Sequence, residues 1–181
     1  MKKLAIDLDS TVWQILDIFV PLYNKKYKTN VKVGDIDRFH FFPQERFMKI
    51  YKKTTKHIKE FKPVRGFFGS YIEELSILYD ITFLTHGNYT KKKVSKKLES
   101  MGVWGDFYQD IIITKEPKAD FDFDYFIDDN PLMVADMKQY PEKTLILIPT
   151  TYNYYIADEY DNILRWMNWK QITEYLITGF I

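Results

Sequence analysis

The sequence has no cysteine among its 181 residues, which excludes disulfide bonds, thiolate zinc sites and a cysteine nucleophile, and removes any redox clue to compartment. It also lacks a long apolar run: no stretch approaches the roughly 20 residues of a membrane span. The short run behind Met1-Lys2-Lys3 is broken by Asp7 and does not read as a secretory signal. An excess of one charge is missing too. Lys and Arg total 26 against 25 acidic residues, a formal net charge of +1, so neither nucleic acid nor an acidic membrane is expected as a partner, and any anion site must be local. There is no internal repeat, low-complexity segment or disorder signature. A soluble, cytoplasmic protein is the expectation.

With 46% hydrophobic residues, the chain can bury one substantial core and carry a small appended subdomain. Residues 4–8 read as a short buried strand, and residues 12–27 as a helix that Pro21 should kink. Pro43 opens a further helix, and Thr54-Thr55 could cap another running to Phe61. Residues 16–62 therefore read as a helical insert with no strand signal. Beyond it, helices are expected over 70–79, 90–101 (closed by Gly102) and 131–139, and strands over 81–85, 111–114, 125–127 and 144–148. Strands alternating with helices imply an α/β fold with a doubly wound, mainly parallel sheet. The core is placed at 1–15 and 63–181 and the cap at 16–62. The lysine run from Lys91 to Lys97 reads as the solvated face of a helix whose apolar stripe is Val94, Leu98 and Met101.

The chemistry gathers at strand ends. Asp7 and Asp9 follow the first strand and can converge where open α/β sheets bind ligands; alternatively, Asp9, Ser10 and Thr11 cap the helix that follows. Thr85 ends a second strand, Lys118 follows a third, and Asp128-Asp129 end a fourth. Carboxylates from two strand ends suit a magnesium ion, which takes oxygen ligands and keeps a position for phosphate. A lysine and a hydroxyl complete an anion site.

Taken together, Asp7-Leu8-Asp9-Ser10-Thr11, the strand ending in Thr85, Lys118, and Ile127-Asp128-Asp129-Asn130-Pro131 resemble the motifs of phosphatases of the haloacid dehalogenase superfamily, in the same order. Within it, the chain is similar to the 5'(3')-deoxyribonucleotidase group, on residues 22–27 with Asp35-Ile36, the approach from Pro63 to Gly66, and Leu164-Arg165-Trp166 with Trp169 and Ile172. That resemblance implies a Rossmannoid core with a helical cap inserted after the first strand. It implies Asp7 as nucleophile and Asp9 as general acid and base. Magnesium would lie on Asp7, the main-chain carbonyl of Asp9 and the Asp128-Asp129 pair, with Asp129 the direct ligand and Asp128 positioning water or Lys118. Thr85, His86, Lys118 and Phe39 are the expected substrate contacts, Phe39 by stacking on a base. Trp13, Phe41, Phe42 and Phe47 are further stacking candidates, and Arg65 and His40 further phosphate or sugar contacts. The implied substrate is a small phosphomonoester, a deoxynucleoside monophosphate, with a homodimer left open. Alternatives are another small phosphoester, a nucleic-acid 3' end, or a non-enzymatic phosphate-binding module. The chain departs from the group's pattern at Ser10, where glycine is usual; at His86, where small or hydroxylated residues are usual; and at Lys115-Glu116, near which an arginine is usual. Ser10 is expected to be tolerated provided that its φ is not positive.

Overall fold

The computed structural model describes residues 1–154, 161–165 and 168–179. Strand β1 (Lys2–Ile6) buries its apolar half, Leu4, Ala5 and Ile6. A tight turn follows, in which the amides of Val12 and Trp13 both donate to the Leu8 carbonyl. Ser10 within that turn is left-handed at φ 62°, so the condition for an easy glycine replacement is not met. A non-glycine residue in this region carries about 1 kcal/mol of strain or more.

Two short strands then form a neck. β2 (Trp13–Gln14) pairs antiparallel with β3 (Lys62–Pro63), and the segment between them carries α1 (Leu16–Tyr27), α2 (Gln44–Thr54) and two 3-10 turns, Val33–Asp35 and Thr55–Glu60. A two-residue ladder has no period to detect, which is why no strand was expected here. Because α1 starts only at Leu16, Asp9, Ser10 and Thr11 do not cap it. The helix continues through Pro21, which lies with Asp17 on its exposed side; the Asp17 carbonyl, which loses its usual donor to proline, therefore faces water. Thr54 and Thr55 bond back to the carbonyls of Ile50 and Lys52 and do not cap a new helix.

The remaining elements alternate: α3 (Gly69–Ser76), β4 (Tyr79–Thr85), α4 (Lys91–Glu99), β5 (Asp110–Ile113), β6 (Tyr125–Asp128), α5 (Leu132–Met137), β7 (Thr144–Leu147), β8 (Ile163–Arg165) and α6 (Trp169–Thr178). The helix expected over 70–79 stops early, because Tyr79 is already the first residue of β4 and Leu78 is exposed. In α4, Val94 and Leu98 are buried as expected, but Lys97 is buried with them, and its ammonium donates to the Lys59 carbonyl at 3.4 Å. Leu164 pairs in β8 with Ile146, and Trp169 and Ile172 are buried on α6; Trp166 lies outside the described residues.

Six strands form one sheet in the order β5-β4-β1-β6-β7-β8, every neighbouring pair parallel. Alternation along β1 sends Leu4 and Ile6 to one face and Ala5 to the other. The first face packs on Ile72 of α3, Val94 and Leu98 of α4, and Ile172 of α6. The second packs on Met133, Val134 and Met137 of α5. Covering both faces is what a parallel sheet requires. The insert has its own apolar cluster, built on Phe19, Val20, Tyr23, Ile36, Phe42 and Ile50, into which one residue from the loop after β7, Tyr152, is inserted. In register, Ile6 lies between Phe83 of β4 and Ile127 of β6. The carboxyl ends of β1, β4 and β6 thus lie side by side beneath the insert, on either side of the strand where the order reverses.

Candidate active site

Four of the expected residues meet there. The Lys118 ammonium, held in a short turn after β5, donates to Asp7 Oδ1 at 2.5 Å and to Asp128 Oδ2 at 2.7 Å. Asp7, Lys118, Asp128 and Asp129 are all buried, whereas Lys115 is exposed. The other Asp128 oxygen accepts from the Asn130 amide at 2.8 Å. Asp129 is held from both sides, by the Thr11 hydroxyl at 3.2 Å and by the Tyr152 hydroxyl. Asn153 anchors the same stretch by donating to the Asp129 carbonyl at 2.8 Å. The Trp169 indole, from α6, donates to the Thr11 carbonyl at 2.9 Å and so ties the β1 turn to the helix layer on the same face of the sheet.

Asp9 lies in a separate cage. Its Oδ1 accepts from the Trp13 indole at 2.7 Å and the Tyr89 hydroxyl at 2.5 Å, and its Oδ2 accepts from the Tyr51 hydroxyl at 2.5 Å. Trp13 belongs to the neck, Tyr89 to the loop after β4 and Tyr51 to α2 of the insert. Trp13 is fully buried, with its ring edge-on to Tyr89 at 6.0 Å, so it positions a carboxylate and has no open face for a base.

The other expected contacts are distributed around this centre. Thr85 is buried at the end of β4. His86 is exposed, and its Nε2 lies 2.8 Å from the Glu116 carbonyl. Phe39 packs against the Tyr152 ring at 5.9 Å, one side chain removed from Asp129. Phe41, Phe42 and Phe47 pack in or against the insert's own cluster, and His40 is exposed with its ring beside Phe39. Arg65 lines a cleft of about 850 Å³ between the insert and the core, together with Ser10, Val33, Asp37, Thr150 and Tyr152.

Burial governs the electrostatics. It raises Asp7 well above the usual carboxylate range, with Lys118 opposing and the neighbouring carboxylates reinforcing the shift. Burial and the charge of Asp128 push Asp129 up to about 7, against the hydrogen bond from Tyr152. Burial raises Asp9 as well, and its hydrogen bonds from Tyr51, Tyr89 and Trp13 pull it back. For Lys118, burial alone would lower the pKa, but Asp128 and Asp7 more than reverse it, so the ammonium stays charged. Burial, and then the adjacent carboxylate, lifts Tyr51, Tyr89 and Tyr152 well above the normal phenol range, so all three remain donors.

One ligand oxygen from each of Asp7, Asp128 and Asp129 lies within 4.8 Å of the other two. Of these three buried carboxylates, Asp7 and Asp128 bond the Lys118 ammonium and Asp129 is held, among the described residues, by hydroxyls alone, an imbalance that a hard divalent cation relieves, and an all-oxygen donor set is the set magnesium takes. The residues present therefore fit a magnesium ion.

Sequence reasoning passed over Tyr51, Tyr89, Tyr152 and Asn153. A tyrosine that reaches a carboxylate across 42 or 80 residues leaves no local pattern; the only available signal, abundance, is shared by all 14 tyrosines.

No protein-family model matches the sequence, and no curated protein matches it. Solved structures do match in shape. A haloacid dehalogenase-like hydrolase from Streptococcus pneumoniae superimposes with a TM-score of 0.69 at 15% identity, over 97% of this chain and 98% of that one. A candidate phosphoglycolate phosphatase from Lactobacillus delbrueckii gives 0.71 at 12% identity, over 97% and 98%. A haloacid dehalogenase-type hydrolase from Bacillus subtilis, solved with magnesium bound, gives 0.59 at 12% identity, again over 97% and 98%. At such identities the likeness is one of fold, and it extends over nearly the whole length of each partner.

Proposed function

We propose that this chain, which has the haloacid dehalogenase-like fold, is a magnesium-dependent phosphomonoesterase that works through an aspartyl phosphate on Asp7. The observation that carries the reading is the joint geometry of Asp7, Lys118, Asp128 and Asp129 at adjoining strand ends. Asp7, Asp128 and Asp129 would hold magnesium, which when bound neutralises charge on the phosphoryl oxygens. The Asp7 carboxylate attacks phosphorus, the ester P–O bond breaks, and the leaving oxygen takes its proton from the Asp9 carboxyl. Asp9, now a carboxylate, then accepts a proton from the water that cleaves the aspartyl phosphate. Lys118 keeps Asp7 oriented and offsets charge on the transferred group, and the insert excludes bulk water.

Deoxynucleoside monophosphates are the substrate reading supported by the resemblance of the insert and carboxyl-terminal segments to the 5'(3')-deoxyribonucleotidases. A second reading, another small phosphoester, is supported by how closed the site is: Asp7 is only 6% exposed, with Tyr51 and Tyr89 over Asp9. Phosphate release from a panel of deoxynucleotides, phosphosugars and short-chain alkyl phosphates separates the two. Release from phosphosugars but not from deoxyuridine or thymidine monophosphate overturns the nucleotide reading. Asp7→Asn is expected to lower kcat at least about 1,000-fold while leaving the fold intact by circular dichroism, because it removes the nucleophile. Full magnesium-dependent activity in that variant refutes the mechanism.

A further inference from the structure

We propose that Tyr51 is a positioning residue through which closure of the insert and orientation of Asp9 become a single event, an inference that rests on the phosphatase reading above.

Trp13 and Tyr89, the two donors to Asp9 Oδ1, sit close to the sheet: the Trp13 amide donates to the Leu8 carbonyl just past β1, and Tyr89 lies in the loop directly after β4. Oδ2 has a different partner, a hydroxyl carried on α2. The Tyr51 ring stacks on Phe47 at 5.5 Å and 17°, and Phe47 in turn packs on Phe19 of α1 at 5.0 Å. Tyr51 and Leu16 pack against both the insert's own cluster and the main cluster of the sheet. The phenol therefore travels with the insert. Any opening that admits substrate withdraws its hydroxyl from Oδ2 while Trp13 and Tyr89 keep Oδ1, and closing returns it.

A carboxylate oxygen has two lone-pair sites. With Tyr51 on one, the second site of Oδ2 is left for the proton that Asp9 hands to the leaving oxygen as the P–O bond breaks. The Tyr51 hydrogen bond strengthens as the carboxylate forms, so it favours proton delivery only when the insert is closed over substrate. Coupled in this way, Asp9 is competent when water is excluded and less so when the site is open.

The first test needs no catalysis. Amide hydrogen exchange of α2 is measured in the unsubstituted chain, in Tyr51→Phe, in Asp9→Ala and in the double variant, with the amides of β4 as an internal control for folding. Each single variant is expected to speed exchange of α2 by about tenfold, the double variant no further, and β4 to be unchanged. Additive effects, or no effect on α2, overturn the proposal. The second test compares kcat/KM for an alkyl phosphate with that for p-nitrophenyl phosphate, whose leaving group needs no proton. Tyr51→Phe is expected to slow the alkyl ester about tenfold more than the nitrophenyl ester, and equal losses on the two overturn the proposal. A wild-type protein that cleaves neither ester with magnesium refutes the phosphatase reading, and the exchange cycle then decides by itself whether Tyr51 latches the insert to Asp9.

Discussion

Lys118 carries an unusual share of the site's order, because one ammonium satisfies Asp7 and Asp128 with all three groups buried. Removing one partner of such an arrangement leaves the others as uncompensated buried charge, at a cost of about 3–5 kcal/mol. Lys118→Met is accordingly expected to lower the urea midpoint of the metal-free protein strongly, and saturating magnesium to recover part of the loss by supplying charge to the same carboxylates. A variant as stable as the parent without metal contradicts the ion-pair geometry. At this scale, legibility followed chemistry. Asp7, Asp128 and Asp129 could be read from the sequence because each is a carboxylate at or just past the end of a short apolar strand, whereas Lys118, well past Ile113, was picked out over Lys115 by the motif spacing of the resemblance. The left-handed φ of Ser10 could not be read from serine itself; the one hint was that glycine is usual at that position in the group the chain resembles.

Among the elements, the strands that form the centre of the sheet were the most legible, since β1, β4 and β6 are short apolar runs with marked ends. β8 was not, being three half-buried residues. The neck escaped for a related reason, and the early end of α3 reflects a competition: Tyr79 fits the apolar side of a helix, yet its place in β4 gives it a parallel partner, Lys2 of β1. The start of α3 shows how tightly the helices sit. A Cβ on Gly69 would come within 2.6 Å of the Gly102 backbone and the Met101 carbonyl at the end of α4. Neither backbone can yield as a side chain would, so Gly69→Ala is expected to cost about 2 kcal/mol through overpacking. Thermal melting checks this, with a depression of the melting temperature expected and activity per folded molecule retained.

For the molecule as a whole, the buried acids make stability depend on pH in the opposite sense to an ordinary salt-bridged protein. Asp129 titrates at about 7 when folded against a usual 3.8, raised by burial and by Asp128. Between these values the folded state holds a proton that the unfolded chain has released, so stability is highest below the unfolded pKa and falls as pH rises toward 7. Metal-free protein is therefore expected to melt at least about 3 °C higher near pH 5 than near pH 8, the shift that roughly 1 kcal/mol produces in a chain of this size. Magnesium is expected to raise the melting temperature more at pH 8, where it meets three ionised carboxylates, than at pH 5, where it competes with protons. Chelation at pH 8 should reverse that gain. Melting curves that do not vary with pH would show that Asp129 is not shifted. The fold class was legible at this scale from alternating strands and helices alone. The closure of the site was not, because it depends on hydroxyls brought together by the insert's packing.

The neck of β2 and β3 has a consequence for descent. Trp13–Gln14 and Lys62–Pro63 lie side by side, so the chain leaves the sheet and returns to it at one point. The sheet's own hydrogen bonds do not depend on how much chain lies beyond that point, and the entropy of closing the excursion grows only with the logarithm of its length. Such a junction works as a splice. The excursion can be lengthened or shortened without breaking the hydrogen bonds of the sheet. What the insert presents to a ligand can therefore change while the strand ends of the sheet keep their register.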